Sequence, residues 1–242
     1  MTVFRLGKEL VFPHPEFADP DGLLAIGGDL SPRRLLLAYS WGIFPWYSKD
    51  QPILWWSPNP RLVLFPEKIK VSNSLRRVIK KGIFRVSMDE DFSRVIRSCA
   101  ETRLEKGINT WITPEMIEAY ERLHELGYAH SVETWYGNEL VGGLYGVSLG
   151  LVFCGESMFS RMTDASKVAL VFLAKTLQIW GFKIIDCQVT TSHLIRMGAE
   201  EIPRRTFLEI LNQVIVFPNK KGSWQKDFEY LFANHFCYGK TL

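Results

Sequence analysis

Apolar and polar residues alternate in distinct rhythms along this 242-residue chain, and each rhythm predicts an element. Residues 83–88 (IFRVSM) read as a strand and 89–103 as a helix. Thr113 followed by Pro114 is a cap with proline at the first helical position. Met116, Tyr120 and Leu123 share one face of the helix that follows, and Gly127 stops it. Strand-like runs at 131–135, 139–147 and 151–157, with turns at 137–138 and 148–150, predict an antiparallel meander. A helix over 164–180, stopped by Gly181, is apolar around most of its circumference and is expected to be buried. Residues 183–189 read as a strand, 192–197 as a short helix, 199–202 as a short strand and 204–216 as a final helix.

Residues 1–62 break this regularity. They hold eight of the twelve prolines and four of the eight tryptophans, which predicts a small loop-rich unit with an aromatic core ahead of a larger unit over 63–242. In the small unit, Gly27-Gly28 reads as a tight turn, with Asp29 or Ser31 capping a helix over 32–39. No GxGxxG or GxxxxGK[ST] phosphate loop is present. In the larger unit the elements run β-α-α-β-β-β-α-β-α-β. That is the order of the GNAT acyltransferase fold, an α+β architecture with a mixed sheet flanked by helices.

Composition sets limits on this picture. With 47% hydrophobic and 23% charged residues the chain is ordinary globular protein, which excludes a disordered or collagen-like chain. The longest uncharged run, 140–155, is broken by glycines and falls short of the ~18–20 residues of a membrane span. The first 17 residues contain no apolar stretch of the signal-peptide kind. Cys99, Cys154, Cys187 and Cys237 are far apart and form no CxxC, so free thiols in a cytoplasmic protein are expected. The five histidines form no HxxxH or HExxH pair, and no metal or organic cofactor is expected. A net charge of +3 permits a nucleic-acid partner without demanding one.

Several residues could carry chemistry. Asp186 and Gln188 lie in the apolar strand KIIDCQV, where alternation puts them on one face and Cys187 on the other. Polar groups on a buried strand need partners. The two could bind and deprotonate an amine, or form a structural pair bracing a loop. Glu156 ends the third meander strand. It either closes a cleft that takes a cationic group together with Asp186, or is a solvated strand end. Segment 68–85 carries seven cations and no acid, with Arg76/Lys80 and Arg77/Lys81 at helical spacing after a cap at Ser72 or Ser74. One face of that helix either neutralises phosphates or is merely solvated. Trp41, Phe44, Trp46, Tyr47, Trp55 and Trp56, with Trp111 further on, could be small-domain core, with one or two rings left free to stack on a base. The connection 160–167 lacks the glycine turn that holds coenzyme A pyrophosphate in acetyltransferases, which argues against that acyl donor.

Longer strings then identify a relationship. They are 22–32 (GLLAIGGDLSP), 42–46 (GIFPW), 53–58 (ILWWSP), 110–113 (TWIT), 120–127 (YERLHELG), 129–131 (AHS), 140–146 (LVGGLYG), 153–162 (FCGESMFSRM), 186–189 (DCQV) and 198–205 (GAEEIPRR). Through them the chain resembles the leucyl/phenylalanyl-tRNA–protein transferases nearly from end to end. The tail after about residue 217 does not match. The resemblance implies transfer of leucine or phenylalanine from aminoacyl-tRNA to the N-terminal Arg or Lys of acceptor proteins, which marks them for degradation. It places catalysis at Asp186 and Gln188, and acceptor binding at Glu156. The aminoacyl side chain would enter a pocket of Leu144, Phe153, Met158 and Leu170 with Ile185 as its floor. Trp46 and Trp111 would flank the terminal adenosine, and Arg76, Arg77, Lys80 and Lys81 would hold the tRNA backbone. Asp186 would orient Gln188 or relay a proton while Gln188 holds the attacking amine; in the competing mechanism the ribose hydroxyl shuttles the proton and the protein only positions. No cofactor and no membrane contact are implied, and a monomer is expected. The rival readings are a coenzyme A-dependent N-acyltransferase and a non-enzymatic RNA-binding module.

Overall fold

In the computed structural model, which describes residues 3–233 apart from 106 and 108, the proline-rich segment builds a sheet of its own. It comprises β1 (Phe4–Leu6), β2 (Leu23–Gly27), helix α1 (Pro32–Ser40), β3 (Phe44–Pro45) and β4 (Leu54–Trp56), with strand order β1-β2-β4-β3. Ser31 is the cap of α1, its hydroxyl accepting from the Arg34 N–H, with Pro32 next. Asp29 instead accepts from Arg34 Nε at 3.1 Å. Trp55 is fully buried between the strands, as a core residue of a small aromatic unit is expected to be.

The rest of the chain forms a seven-stranded mixed sheet flanked by helices. In chain order its elements are β5 (Arg61–Leu64), α2 (Asn73–Lys81), β6 (Arg85–Met88), α3 (Phe92–Glu105), α4 (Pro114–Glu125), β7 (Ala129–Tyr136), β8 (Glu139–Leu149), β9 (Val152–Ser160), α5 (Ala165–Ile179), β10 (Ile184–Gln188), α6 (Ser192–Arg196), β11 (Glu200–Ile202), α7 (Arg204–Val214) and α8 (Gln225–Leu231). The strand order is β11-β5-β10-β9-β8-β7-β6. The meander β7-β8-β9 is antiparallel as the turns predict, and α5 crosses over so that β10 runs parallel to β9. One face of the sheet is covered by α3, α4 and α7, with Val95, Tyr120 and Phe207 in its core. The other is covered by α5 and α8, with Leu170, Leu177 and Phe228 in its core. Gly142 lets α5 lie directly on β8, because a Cβ there would sit 2.5 Å from Ala165 Cβ.

The four short strands of the small unit stand where loops are expected, and two elements of the larger unit were not visible in the pattern either. β5 is four wholly buried residues, RLVL, between prolines; an interior strand covered on both faces shows no alternation. It starts at Arg61, so the large sheet draws on residues from both sides of position 62. The other is α8, which follows an aperiodic segment. It is held by contacts that hydropathy does not report. Trp224 is 1% exposed, and its backbone N–H donates to Asp89 Oδ2 at 2.8 Å. The same carboxylate accepts from His130 Nδ1 at 2.8 Å and from the Ser131 N–H at 2.8 Å. Burial pushes the His130 pKa down, so the ring is neutral with its proton on Nδ1, and it stacks on Trp224 with centroids 3.7 Å apart.

The three thiols that are described, Cys99, Cys154 and Cys187, are free, while Cys237 lies outside the described residues. Among those residues no helix is long and apolar enough to cross a membrane. Trp224 closes the sheet over this end of the chain. Trp224→Ala is therefore expected to lower unfolding stability by about 3–5 kcal/mol, measured by urea denaturation.

Candidate active site

β9 and β10 pair from Ile184↔Val152 to Asp186↔Cys154, and there the pairing ends. Each strand is bulged just beyond that point. In the β8–β9 ladder Gly146 faces Gly155 and Tyr145 faces Ser157, which leaves Glu156 as the extra residue. In the β5–β10 ladder Val63 faces Asp186 and Leu62 faces Gln188, which leaves Cys187 as the extra residue. Bulges bend strands and re-aim side chains. Here they separate the neighbouring strands, and the split opens a cavity of about 400 Å³.

The bulge also corrects the expected alternation. Asp186 does not share a face with Gln188 toward the cavity. Gln188 and Cys187 line the cavity, whereas Asp186, 1% exposed, turns back into the sheet. It meets Arg61 in a two-pronged ion pair, Nε to Oδ1 at 2.8 Å and Nη2 to Oδ2 at 2.6 Å. The guanidinium, itself 1% exposed, lies between the rings of Phe44 and Phe207 at 4.8 and 4.6 Å from their centroids. Asp186 Oδ1 also accepts the backbone N–H of Gln188 at 2.9 Å. That bond holds Gln188 at φ +63°, a left-handed conformation that a side chain bearing Cβ rarely adopts.

So placed, Gln188 donates from Nε2 to Glu156 Oε1 at 2.8 Å, across the split where backbone pairing has stopped. The ionised carboxylate of Glu156 can only accept, so in that state this contact sets the amide orientation. The amide oxygen takes no protein donor among the described residues. The other oxygen of Glu156 accepts from the Tyr120 hydroxyl at 3.0 Å, and that hydroxyl is hydrogen-bonded to Tyr39 of α1. Burial pushes the Glu156 pKa up to about 7. Its hydrogen bonds with tyrosine and Gln188 oppose that rise, and the negative charge of Asp186 adds to it. Both tyrosines are driven well above the ordinary phenol value, first by burial and then by the nearby carboxylate, so they stay donors.

Leu144, Phe153, Met158, Leu170 and Ile185 all line this one cavity, beneath Glu156 and Gln188. Trp46 and Trp111 line it as well, and Trp46 is 40% exposed. The four cations Arg76, Arg77, Lys80 and Lys81 do not join them. They stand on α2, capped by Ser72 and stopped by Gly82, and make no ion pair among the described residues. Sequence reasoning missed Arg61, Tyr39 and Tyr120 as members of the site. Arg61 could have been noticed as a lone charge in an apolar run. Tyr120 was visible only on the apolar face of its helix.

Glu156 costs stability where it is charged. Its folded pKa lies above the unfolded value, so the stability it contributes is full at pH below about 4.5 and is lost as pH rises through 7. Glu156→Gln keeps the shape without the charge. The variant is expected to be more stable than the wild type at pH 8.5 by on the order of 1–2 kcal/mol, with the difference vanishing below about pH 4.5, in denaturant titrations at both pH values.

Comparison with known proteins gives a consistent result. A family profile described as leucyl/phenylalanyl-tRNA protein transferase matches residues 63–212, and the profile of that family's N-terminal domain matches residues 28–59. A leucyl/phenylalanyl-tRNA–protein transferase of Syntrophobacter fumaroxidans is 61% identical over 225 residues, 93% of this chain and 96% of that one. One from Thermodesulfovibrio yellowstonii is 56% identical over 230 residues, 95% and 94% of the two chains. Among solved structures, an aminoglycoside acetyltransferase from a soil metagenomic sample, in complex with sisomicin, aligns with TM-score 0.39 at 11% identity, over 48% of this chain and 84% of that one. The C-terminal domain of a putative lysylphosphatidylglycerol synthetase from Agrobacterium fabrum aligns with TM-score 0.42 at 10% identity, over 80% and 60%.

Proposed function

The chain belongs to the leucyl/phenylalanyl-tRNA–protein transferase family, and from that premise we propose how its cavity divides the work of the reaction. The enzyme moves leucine or phenylalanine from aminoacyl-tRNA to the N-terminus of an acceptor protein. The acceptor begins with Arg or Lys, and its new N-terminus marks it for degradation. The observation that carries the reading is the Gln188–Glu156 hydrogen bond of 2.8 Å at the mouth of an apolar cavity. It sets a polar, titratable pair beside a pocket for an uncharged side chain.

Leu144, Phe153, Met158, Leu170 and Ile185 take the leucyl or phenylalanyl side chain, and Trp46 and Trp111 flank the adenosine that carries it. The aminoacyl ester is already activated, so holding the amine against it supplies much of the rate. The amide oxygen of Gln188 accepts one N–H of the acceptor's α-amine, and Glu156 attracts its cationic end. The amine nitrogen forms a bond to the ester carbonyl carbon, the bond from that carbon to the ribose oxygen breaks, and the amine proton passes to Glu156. A base with pKa about 7 is matched to an α-amine of pKa about 7.7–8. The ribose oxygen leaves with that same proton, returned by Glu156 directly or through the neighbouring ribose hydroxyl, which passes on its own proton and takes the one from Glu156.

Asp186 has a different role. With both oxygens engaged by Arg61 and the Gln188 N–H, and with 1% exposure, it is out of the acceptor's reach. It is a positioning residue that keeps Gln188 in its left-handed conformation. The cations of α2 hold the acceptor-stem backbone, a contact without sequence information. The N-terminal unit of residues 1–62 closes the cavity on the side of Phe44, Pro45 and Trp46.

The reading is tested with Leu-tRNA carrying labelled leucine and two folded acceptors, one beginning with Arg and one with Glu. Label is expected in protein with the Arg acceptor alone; label in neither acceptor contradicts the reading. The acid side of the pH–rate profile is expected to fall with two groups, the acceptor's α-amine and a second near pH 7, and only the second is lost in Glu156→Gln. Asp186→Asn is expected to lower kcat by about 10²-fold because it disturbs the aim of Gln188, while the Glu156 limb persists and moves toward lower pH with the loss of the charge that raises it. Loss of the limb in Asp186→Asn, as in Glu156→Gln, would contradict the division of roles.

A further inference from the structure

Arg103 is the one residue lining the cavity, among those described, that carries a permanent positive charge. It stands exposed in the last turn of α3, with no ion pair and no side-chain hydrogen bond among the described residues. Its neighbour Arg161 is occupied, by Glu101 at 3.1 Å and Glu105 at 3.7 Å. Lys167, further round the fold, is held by Asp164 at 2.7 Å. Among the described residues Arg103 is thus an unpaired cation at the cavity, whereas Arg161 and Lys167, which do not line it, are paired.

Its charge suits only one of the two substrates. The acceptor brings its own positive charge, which Glu156 serves and Arg103 would repel. The donor is a polyanion. Trp111 lies on the connection between α3 and α4, follows Arg103 in the chain, and lines the same cavity. Arg103 therefore shares a wall with a ring assigned to the terminal adenosine, whose nearest anionic group is its 5′-phosphate. We propose that Arg103 binds the phosphodiester joining the terminal adenosine to the preceding nucleotide of the donor. This rests on the transfer reading above. The guanidinium presents a planar fork of donors that fits a phosphate's paired oxygens. It acts on the single-stranded end of the tRNA, while the α2 cations, outside the cavity, act on the stem.

The test uses two donors that differ by one group: phenylalanyl-adenosine and phenylalanyl-adenosine 5′-phosphate. The quantity read is the ratio of their kcat/KM values, phosphate-bearing over nucleoside, with an Arg-initiated acceptor. The wild type is expected to prefer the phosphate-bearing donor. Arg103→Gln is expected to lower the ratio about five- to tenfold, the loss of one charge-assisted contact at an open rim. Arg103→Lys is expected to keep some of the preference, because lysine offers a point charge without the fork. An unchanged ratio in Arg103→Gln overturns the proposal, and so does an equal fall for both donors, which would mean that Arg103 only shapes the cavity. A wild type that uses intact Leu-tRNA yet shows no phosphate preference overturns this proposal alone. A wild type that transfers from no donor overturns the transfer reading and this proposal with it.

Discussion

A buried ion pair governs the geometry of this molecule. Arg61 and Asp186 are each 1% exposed, and taking two such charges out of water costs several kcal/mol per ion before their attraction is counted. The two-pronged contact and the aromatic rings on either side of the guanidinium offset much of that cost. An apolar pair of similar volume could hold the strands together as well. What it could not do is offer a carboxylate oxygen to the N–H of Gln188. The pair spans β5 and β10, touches the N-terminal sheet through Phe44 and touches α7 through Phe207. The position of Gln188 is thereby tied to four separate elements.

From that anchor the site follows by short steps. Gln188 is held left-handed, its amide reaches across the split to Glu156, and Glu156 is backed by Tyr120 and Tyr39. The line runs from a helix of the small unit, through the cavity, to the interior of the large sheet. Each member is oriented by the next, which is how a site keeps its geometry. Glu156 is the member left with a strained electrostatic state. A carboxylate with pKa about 7 is poorly solvated when charged, and the proposed handling of a proton there gives a reason for the fold to keep it.

Much of this was legible in the sequence, and the features that were not share a cause. The meander, α5 and the acidic strand DCQV follow from periodicity and turn residues. Glu156 and Gln188 stood out as polar groups on apolar strands and Trp46 and Trp111 as possible stacking rings, the five apolar pocket residues came from a family resemblance, and the fold gathers all of them around one cavity. Asp186 was expected beside Gln188 because a regular strand alternates; a bulge at Cys187 breaks the alternation, and hydropathy carries no sign of a bulge. β5 was missed because a fully buried strand has no polar face to reveal its period, and α8 because Trp224 is held by Asp89 and His130, more than 90 residues away in the chain. Long-range polar contacts of this kind exist only in three dimensions.

The most direct measurement is the titration of the Glu156 carboxyl itself. Protein labelled with ¹³C at glutamate side-chain carboxyls, in the wild type and in Glu156→Gln, would be followed by NMR from pH 4 to pH 9. The expected result is a resonance with a midpoint near 7 that is absent from the variant. If the resonance lost in the variant instead titrates below about pH 5, as an ordinary glutamate does, Glu156 is not the tuned proton acceptor of this cavity and the division of labour drawn from it is wrong.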